Sequence, residues 1–507
     1  MQETLAFTIV GIHFTLLSIL CIFGLHRIHL VALRVRHRNF KAEVEGQFED
    51  WPVVTIQVPL YNEPFVSERI IDAVAQIDYP KDRLEIQILD DSTDRTVDLV
   101  SARVDFHRAN GVSIEHVRRS NRKGFKAGAL AEGLKTARGE FVAIFDADFV
   151  PEADFLKKAV PYLADSNVAV VQTRWGHLNR DASHLTEVQA IRLDAHFAIE
   201  QAGRCAAGFH FNFNGTAGIW RVEAIHDAGG WQNDTLTEDL DLSYRAQLRG
   251  WNFSFLPELN CPSELPTELV ALETQQHRWA KGATQVLLKL FSQIWRSEGR
   301  LTQKLEATFH LGGNLAYLVM VIDSLFFLVP SLIARQTLDW TYTIWIDVFM
   351  LLLSSGGHLF FFIAGQLFSG NALARTLRFV PVLLSTGVGL AINDARAVME
   401  ALVGHETEFV RTPKRGEDQL NPIPDQASEK AALQSSELQG KRPTRFKPTS
   451  VRPELPIGIL YGIVALWACM TRLWVAVPFL FLLHVGFLSN GIHRWREHRR
   501  ATLEART

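Results

Sequence analysis

Apolar residues along this chain are gathered into long runs that lie on either side of an extended polar block. Five runs are long enough to cross a hydrocarbon core of about 30 Å, or nearly so. They are residues 5–25, 311–333, 344–367, 455–471 and 473–489. The last two are short and predict a tight helical hairpin that turns at Arg472. The first run follows Met-Gln-Glu rather than a basic stretch, which favours a retained anchor over a cleaved signal.

Basic residues predict the orientation, because they collect on the cytoplasmic side of membrane helices. They follow the first and the last run: Arg27, Arg34, Arg36, Arg38 and Lys41, then Arg494, Arg496, Arg499 and Arg500. The sequence therefore predicts a multi-pass protein of the plasma (inner) membrane, with residues 40–308 and the C-terminal tail in the cytosol. Residues 377–403 contain a shorter apolar stretch that ends in polar residues. This favours an interfacial helix on the inner surface over a sixth span.

The cytosolic block alternates short apolar β runs with helix-like segments. Residues 53–58, 84–89, 112–117 and 141–145 are the β runs. Segments of about 10 to 15 residues separate them, which is the pattern of βαβ units and a largely parallel sheet. Ligands of such sheets bind outside the carboxyl ends of the strands.

Aspartates follow two of these predicted strands. Asp90 and Asp91 end the second strand, and Asp146 and Asp148 follow the fourth. Aspartate in such positions often caps a helix or opens a turn. Two acids one residue apart would repel each other unless a cation or hydrogen-bond donors offset their charge. A hard divalent ion shared with a substrate diphosphate would do so.

Composition and motifs exclude several other classes. The net charge of −3 and the lack of a basic, aromatic-rich stripe argue against nucleic-acid binding. Four cysteines at unrelated spacings indicate neither a disulfide framework nor a zinc site. No Gly-x-Gly-x-x-Gly follows a strand and no Walker sequence occurs, which argues against dinucleotide and P-loop folds.

Five motifs occur in an order that resembles the inverting family 2 glycosyltransferases, and within them the processive cellulose synthase and hyaluronan synthase group. The motifs are Val58-Pro59-Leu60-Tyr61-Asn62-Glu63, Asp90-Asp91-Ser92, Asp146-Ala147-Asp148, Thr237-Glu238-Asp239 and Gln275-Gln276-His277-Arg278-Trp279. Segments 121–128 and 213–218 look most similar to the cellulose synthase-like A (mannan and glucomannan synthase-like) branch and its bacterial relatives. The resemblance implies an α/β GT-A domain with a Rossmann-like mixed sheet, inserted between the transmembrane α-helices of an integral membrane protein.

The resemblance also implies a role for each group of residues. A nucleotide sugar would be bound by Tyr61, Glu63, Asp90, Asp91, Lys126, Asp146 and Arg278. Asp148, together with Asp146, would hold Mg²⁺ or Mn²⁺, which neutralises charge on the leaving diphosphate. Asp239, in the motif with Thr237 and Glu238, would be the general base. The alternative for this motif is structural, with Thr237 capping the helix that follows.

Other residues are expected to contact the acceptor sugar. Gln275, Arg278 and Trp279 share one face of a helix. Such a stripe is ordinarily structural, but the resemblance makes Trp279 a stacking platform and leaves His277 as a packing residue. Residues 213–218, with Asn214, Gly215 and Thr216, would flank the acceptor.

Residues 409–416 resemble the gating loop of the processive synthases. Thr412 and Lys414 match that loop and would contact the diphosphate, whereas Arg411 stands where Val is usual. Without that context, a short basic segment beside a membrane is more often an anionic-lipid contact. The Pro-, Ser-, Gln- and Lys-rich residues that follow predict a mobile linker.

The predicted organisation has eight parts. They are an N-terminal anchor (1–40), a catalytic domain (41–283), interfacial amphipathic helices (284–308), two transmembrane helices (309–370), an interfacial helix (371–408), the gating loop and linker (409–453), two transmembrane helices (454–493) and a basic tail (494–507).

The expected activity is processive synthesis of a β-linked glucan, mannan or glucomannan from UDP-glucose, GDP-mannose or GDP-glucose, with translocation of the growing polysaccharide. Two alternatives remain open. One is transfer of a single sugar to a membrane lipid, and the other is a transporter whose soluble domain only binds a nucleotide sugar.

Overall fold

The structure is a computed structural model that describes residues 2–407, 416 and 453–504. Seven strands form one mixed sheet in the order β3-β2-β1-β4-β6-β5-β7. The strands are β1 (Val54–Leu60), β2 (Leu84–Asp90), β3 (Ile114–Arg118), β4 (Phe141–Ile144), β5 (Val168–His177), β6 (Gly218–Arg221) and β7 (Asn252–Ser263). All four strands predicted from the sequence lie within two residues of their expected starts.

The sheet is parallel on one side and mixed on the other. β1 pairs in parallel with β2 and β4, and β2 pairs in parallel with β3. β6 is antiparallel to both β4 and β5, while β5 and β7 are parallel. The expectation of a largely parallel sheet therefore holds for β1 to β4. The antiparallel strand makes the whole a mixed sheet, as the resemblance implied.

Helices cover the sheet and continue toward the C-terminus. They are α1 (Gln2–Arg36), α2 (Ser67–Ala75), α3 (Thr96–Ala109), α4 (Phe125–Leu134), α5 (Phe155–Ala159), α6 (His184–Ala195), α7 (Ala202–Ala206), α8 (Val222–Asp227), α9 (Glu238–Leu248), α10 (Leu269–Arg296), α11 (Leu301–Gly312), α12 (Leu315–Ile322), α13 (Val329–Thr337), α14 (Ile344–Phe368), α15 (Leu373–Leu402), α16 (Glu454–Met470) and α17 (Val477–Glu504). A π-helical turn, His196–Gln201, joins α6 to α7, and a second, Asp323–Leu328, joins α12 to α13.

Both faces of the sheet are buried. Side chains of α2, α3 and α5 pack on one face, and side chains of α4, α8 and α9 pack on the other. β1, β2 and β4 consequently consist almost entirely of buried residues. A sheet covered on both faces leaves the ends of its strands as the place for a binding site.

Four helical segments of the described residues are long and apolar enough to cross a membrane: Glu3–Arg36, Leu315–Thr337, Thr341–Phe368 and Leu373–Leu402. The last contains the segment expected to lie at the interface. It forms one continuous helix, α15, with Pro381 inside it, packed against α10, α12 and α17. Its placement relative to the bilayer stays a prediction.

The predicted C-terminal hairpin is present, with differences at its ends. α16 and α17 pack along each other, and Arg472 between them has a φ of +63°. α17 continues to Glu504, so residues from 494 to 504 prolong a helix instead of forming a separate tail. Asn490 and Gly491 follow the apolar run without ending the helix, and no proline occurs between them and Glu504.

Ionisable side chains meet among the apolar helices. His13 of α1 lies between Asp323, at 2.8 Å, and Asp347 of α14, at 3.4 Å. Arg335 of α13 pairs with Asp347 at 2.7 Å. All four side chains are buried, and together they join α1, α13 and α14.

Candidate active site

A cleft of about 170 Å³ opens at the carboxyl ends of β1 and β4, with α9 and α10 forming the opposite wall. It gathers fourteen of the residues selected from the sequence: Tyr61, Glu63, Asp91, Lys126, Asp146, Asp148, Asn214, Gly215, Thr237, Glu238, Asp239, Gln275, Arg278 and Trp279. These residues are spread over more than two hundred positions of the chain, and the sheet topology brings them together.

The Asp-x-Asp segment follows β4 directly and is held by its neighbours. The backbone N–H of Asp146 donates to Thr216 Oγ1 at 2.8 Å, and Lys126 Nζ donates to Asp146 Oδ1 at 2.5 Å. Asp148 is 8% exposed and also faces the cleft. The two carboxylates therefore stand at one edge of the cleft, with a cation beside the first.

These carboxylates fit a hard divalent cation that is shared with a substrate. Among the residues described, no three Asp, Glu, His or Cys side chains cluster closely enough to enclose an ion by themselves. Mg²⁺ usually takes only one or two carboxylates and completes its shell with water and substrate phosphates. Asp146 and Asp148 supply that number of oxygen-donor groups, so the donor set suits an ion that binds with a diphosphate.

Lys126 lies at the centre of the site. Its ammonium group contacts Asp146 and donates to Gly215 O at 2.9 Å. Burial alone would lower the pKa of Lys126, but the carboxylates of Asp146, Glu238 and Asp239 outweigh burial and raise it. Lys126 is therefore cationic at neutral pH and provides a positive charge next to the Asp-x-Asp segment.

Asp239 lies in the first turn of α9, and both Asp239 and Lys126 lie close to Gly215. Its Oδ1 accepts a hydrogen bond from the Leu240 N–H at 2.8 Å. Burial, with the neighbouring charge of Glu238, raises the pKa of Asp239 to about 7, although Lys126 and Arg278 act in the opposite direction. A carboxylate with a pKa near the working pH is suited to accept a proton in a reaction.

Thr237 does not cap α9 through its side chain. It occupies the position before the helix, but its hydroxyl makes no capping hydrogen bond, and Oγ1 has no hydrogen-bond partner within the described part of the chain. The side chain instead packs against α10, where a Cβ added to Gly282 would lie 2.5 Å from Thr237 Cγ2. The absent side chain at Gly282 lets α10 approach the Thr237-Glu238-Asp239 segment closely.

α10 contributes Gln275, Arg278 and Trp279 to the cleft, as their spacing predicted. His277 faces away and pairs with Glu400 of α15 at 3.2 Å. Lys281, fully buried one turn further along, also contacts Glu400 at 3.2 Å. The same helix thus presents one face to the cleft and ties its other face to α15.

Arg122, which has no role in the predicted site, also lines the cleft. Its guanidinium carbon lies 3.4 Å from the centre of the Tyr61 ring and 4.9 Å from that of Phe125. Nearby, Asp91 receives a hydrogen bond from Arg119 Nε at 2.9 Å. Arg122 belongs to segment 121–128, in which only Lys126 was predicted to bind the nucleotide sugar. The stacking of Arg122 on Tyr61 depends on tertiary packing and cannot be predicted from the residues around Arg122.

Two predicted site residues lie outside the cleft. Asp90 is 1% exposed, and its carboxylate accepts from Ser92 N–H and lies 2.9 Å from His116 Nε2. Burial would raise the pKa of Asp90, but these hydrogen bonds outweigh burial and lower it. Thr216 is fully buried, and its hydroxyl holds the Asp146 backbone instead of facing an acceptor. Both side chains therefore accept hydrogen bonds from the backbone beside the cleft and do not line the cleft themselves.

Thr412 and Lys414 of the predicted gating loop lie outside the described residues. Gly416, which is described, has a φ of +66° and lies against the backbone of Phe65. Phe65 follows the cleft residue Glu63 by two positions. The structure therefore places Gly416 near the β1 side of the cleft.

The part of the chain that carries this cleft resembles known proteins. Residues 52–282 match the family described as glycosyltransferase like family 2. Glucomannan 4-beta-mannosyltransferase 2 of Arabidopsis thaliana is 46% identical over 254 residues, covering 49% of this chain and 48% of that protein. Glucomannan 4-beta-mannosyltransferase 1 of Oryza sativa subsp. japonica is 44% identical over 253 residues, covering 49% of each. The matched part thus spans about half the length of these curated relatives.

Among solved structures, the mannosyltransferase PcManGT from Pyrobaculum calidifontis, in complex with GDP-Man and Mn²⁺, gives a TM-score of 0.48 at 21% identity. The alignment covers 80% of this chain and all of that one.

Proposed function

We propose that this chain, whose residues 52–282 are a family 2 glycosyltransferase domain, polymerises a β-linked hexose polysaccharide from a nucleotide sugar and passes it across the membrane. The observation that supports this most directly is the arrangement of one cleft. Lys126 is paired with the first carboxylate of the Asp-x-Asp segment, and Asp239, with a pKa of about 7, lines the same cleft.

The chemistry follows from this arrangement. An acceptor hydroxyl attacks the anomeric carbon of the donor in a single inverting displacement, and Asp239 removes the hydroxyl proton. Lys126 and Arg278 stabilise the negative charge that develops on the departing diphosphate. Because the diphosphate leaves as an anion, the displacement needs no second carboxylic acid to protonate it.

Asp146 and Asp148 would hold Mg²⁺ or Mn²⁺ against the diphosphate. The metal, when bound, neutralises charge on the leaving group. Tyr61, Glu63 and Asp91 form the part of the cleft that we assign to the nucleoside, and Arg122 joins them there.

The acceptor sugar is assigned to the opposite part, with Trp279 as its stacking platform. Aromatic faces suit the apolar faces of sugar rings, and the indole lies in the cleft one turn from Gln275. Asn214 and Gly215 also line the cleft, with Gly215 beside Asp239 and Lys126. This arrangement sets the acceptor between α10 and the Asp239 carboxylate.

GDP-mannose is the donor that we favour, with GDP-glucose as a second donor. The support is the identity of 44–46% to proteins named glucomannan 4-beta-mannosyltransferases. We place the catalytic domain in the cytosol and the protein in the plasma (inner) membrane. The support is the arrangement of the apolar helices at both ends of the domain and the basic residues that follow them.

Membranes containing the wild type or Asp239→Asn, incubated with labelled UDP-glucose, GDP-glucose or GDP-mannose, test the proposal. We expect high-molecular-weight product from GDP-mannose with the wild type and none with the variant. Label found only in the lipid extract would instead support transfer of a single sugar to a lipid. UDP-glucose as the only effective donor would contradict the proposed donor class.

A further inference from the structure

We propose that His196 is a positioning residue that fixes the side-chain amide of Asn214 in the acceptor wall, and that Arg27 of the first apolar helix controls this contact through Glu200. The inference rests on the proposed function and adds a structural link from α1 to the place where the acceptor binds.

Asn214 is held firmly on its backbone side and contacts His196 on its side-chain side. Its N–H donates to Gln172 Oε1 at 2.8 Å, which fixes the main chain just before Gly215. His196 Nε2 lies 2.9 Å from Asn214 Oδ1. Asn212 Nδ2 also lies 3.0 Å from Asn214 Oδ1, so the imidazole and Asn212 together determine how the Asn214 amide faces the cleft.

His196 is the first residue of the π-helical turn His196–Gln201. Such turns shift the register of a helix and are frequent at functional sites. Here the turn places His196 and Glu200 side by side, with His196 Nδ1 2.8 Å from Glu200 Oε2. The ring is thus held between a carboxylate on one side and an amide on the other.

The position of the proton on the ring determines which of its two neighbours receives a hydrogen bond from it. Burial lowers the pKa of His196 to about 4, so the ring is neutral at physiological pH. A neutral imidazole has one N–H. With the proton on Nε2, the ring donates to Asn214, and with the proton on Nδ1 it donates to Glu200.

Two arginines hold the Glu200 carboxylate in place beside the ring. Arg27 of α1 forms an ion pair with Glu200, and Arg204 lies 3.5 Å from the same carboxylate. Arg204 is itself paired with Glu306 at 2.9 Å. A carboxylate can only accept, so its 2.8 Å contact with Nδ1 places the proton of the neutral ring on Nδ1. By holding Glu200, the arginines fix the ring and with it the position of Nε2 against the Asn214 side-chain amide.

Two substitutions separate the two ring nitrogens. The amide nitrogen of glutamine can occupy the position of Nε2, whereas that of asparagine reaches only the position of Nδ1. His196→Gln therefore keeps the contact with Asn214, and His196→Asn keeps only the contact with Glu200. Arg27→Gln removes the pair with Glu200.

Arg34→Gln is the matched control. Arg34 lies two turns further along α1 and donates to Ala198 O of the same π-helical turn at 3.1 Å. Arg34 lies on the same helix as Arg27, has the same charge and contacts the same π-helical turn, but it does not contact Glu200. A merely structural role for α1 would affect both arginine variants alike.

The full-length protein in detergent is assayed with GDP-mannose and a β-1,4-linked mannohexaose as acceptor. Transfer and hydrolysis of the donor are measured together, because hydrolysis uses water and needs no positioned acceptor. We expect His196→Asn and Arg27→Gln to raise the ratio of hydrolysis to transfer about tenfold, the size expected for one lost hydrogen bond. His196→Gln and Arg34→Gln should stay within about twofold of the wild type.

The inference would be overturned if the ratio of hydrolysis to transfer were equal in His196→Asn and His196→Gln. It would also be overturned if the ratio were equal in Arg27→Gln and Arg34→Gln. Either outcome would leave the proposed function intact. If either histidine variant fails to accumulate, the arginine pair decides. Absence of transfer by the wild type would instead overturn the proposed function, and the inference with it.

Discussion

Gly215 lies so close to Asp239 that a Cβ added to the glycine would stand 2.8 Å from Asp239 Oδ2. Gly215 also has a φ of +80°, a backbone region that other residues rarely adopt. We therefore expect Gly215→Ala to displace the carboxylate and lower transfer at least about tenfold, since small misplacements at a reacting centre are costly. Steady-state assays of donor consumption would measure this.

Gly111→Ala is the control for backbone strain. Gly111 has the same φ of +80°, but nothing lies within 4 Å of a Cβ added there. It should lose stability to a similar degree and keep its activity per folded molecule. An equal loss of activity in both variants would mean that strain, and not contact with Asp239, is responsible.

Asp239→Asn should lower transfer by about 10²- to 10⁴-fold, the range expected for loss of a general base. Donor binding should persist, because Lys126 and Arg278 remain. Nucleotide affinity measured by calorimetry, together with turnover, distinguishes the two effects. Weaker nucleotide binding with unchanged turnover at saturation would assign Asp239 to the donor site.

Transfer should rise with pH through about 7 and then level off, because Asp239 must lose its proton to act as the base. The measurement is kcat/KM for the acceptor between pH 5.5 and 8.5, at roughly constant ionic strength. The residual activity of Asp239→Asn should lack this rise. A rise of the same shape in the variant would trace the pH dependence to another group.

Asp239→Asn should also make the protein more stable above pH 7. The folded pKa of Asp239 is about 7 and lies above its unfolded value, so the folded state binds more protons between these values. Stability contributed by the protonated form is present at low pH and is lost as pH rises through about 7. Thermal unfolding in detergent at pH 5 and pH 8 should show a clearly larger gain for the variant at pH 8, because the loss begins above the unfolded pKa of about 4 and is complete only above about 7. Asp105→Asn, at an exposed site, should show no such difference.

Arg122→Ala should raise the KM for the donor by about tenfold, with little change in kcat. The guanidinium stacks on Tyr61 at the part of the cleft assigned to the nucleoside, and such contacts contribute about 0.5–2 kcal/mol. Lys123→Ala, at the exposed neighbouring residue, is the control. A fall in kcat with an unchanged KM would instead assign Arg122 a role at the reacting end of the cleft.

Chelation of divalent ions should abolish transfer, and Mn²⁺ or Mg²⁺ should restore it. Asp148→Asn should raise the metal concentration needed for half-maximal activity, because a carboxylate oxygen is replaced by a weaker amide ligand. Asp78→Asn, an exposed pair with Lys157 at 2.6 Å, should not. Full activity of the wild type after chelation would exclude a metal requirement.

The sequence predicted the strands and most of the cleft because these depend on local patterns. Apolar β runs specified β1 to β4, and carboxyl-end aspartates indicated where ligands bind. The positions of Asp90 and Thr216 could not be predicted, because alternation along one short segment does not tell which side chain faces the cleft. Arg122 and His196 were missed for a related reason. Their partners, Tyr61 and Glu200 among them, are set by tertiary packing and by a π-helical turn that has no clear sequence signal.

The buried contacts among His13, Asp323, Asp347 and Arg335 bear on how the chain is made as well as how it folds. Each apolar helix enters the bilayer during synthesis, and a lone charged side chain there is costly. α1 is synthesised first with its histidine, whereas Asp347 has a nearby partner in Arg335 and Asp323 meets His13 only once its helix lies beside α1. α1 therefore has to remain available for this contact until the whole catalytic domain has been synthesised. Biogenesis of this protein thus depends on an association between segments more than three hundred residues apart.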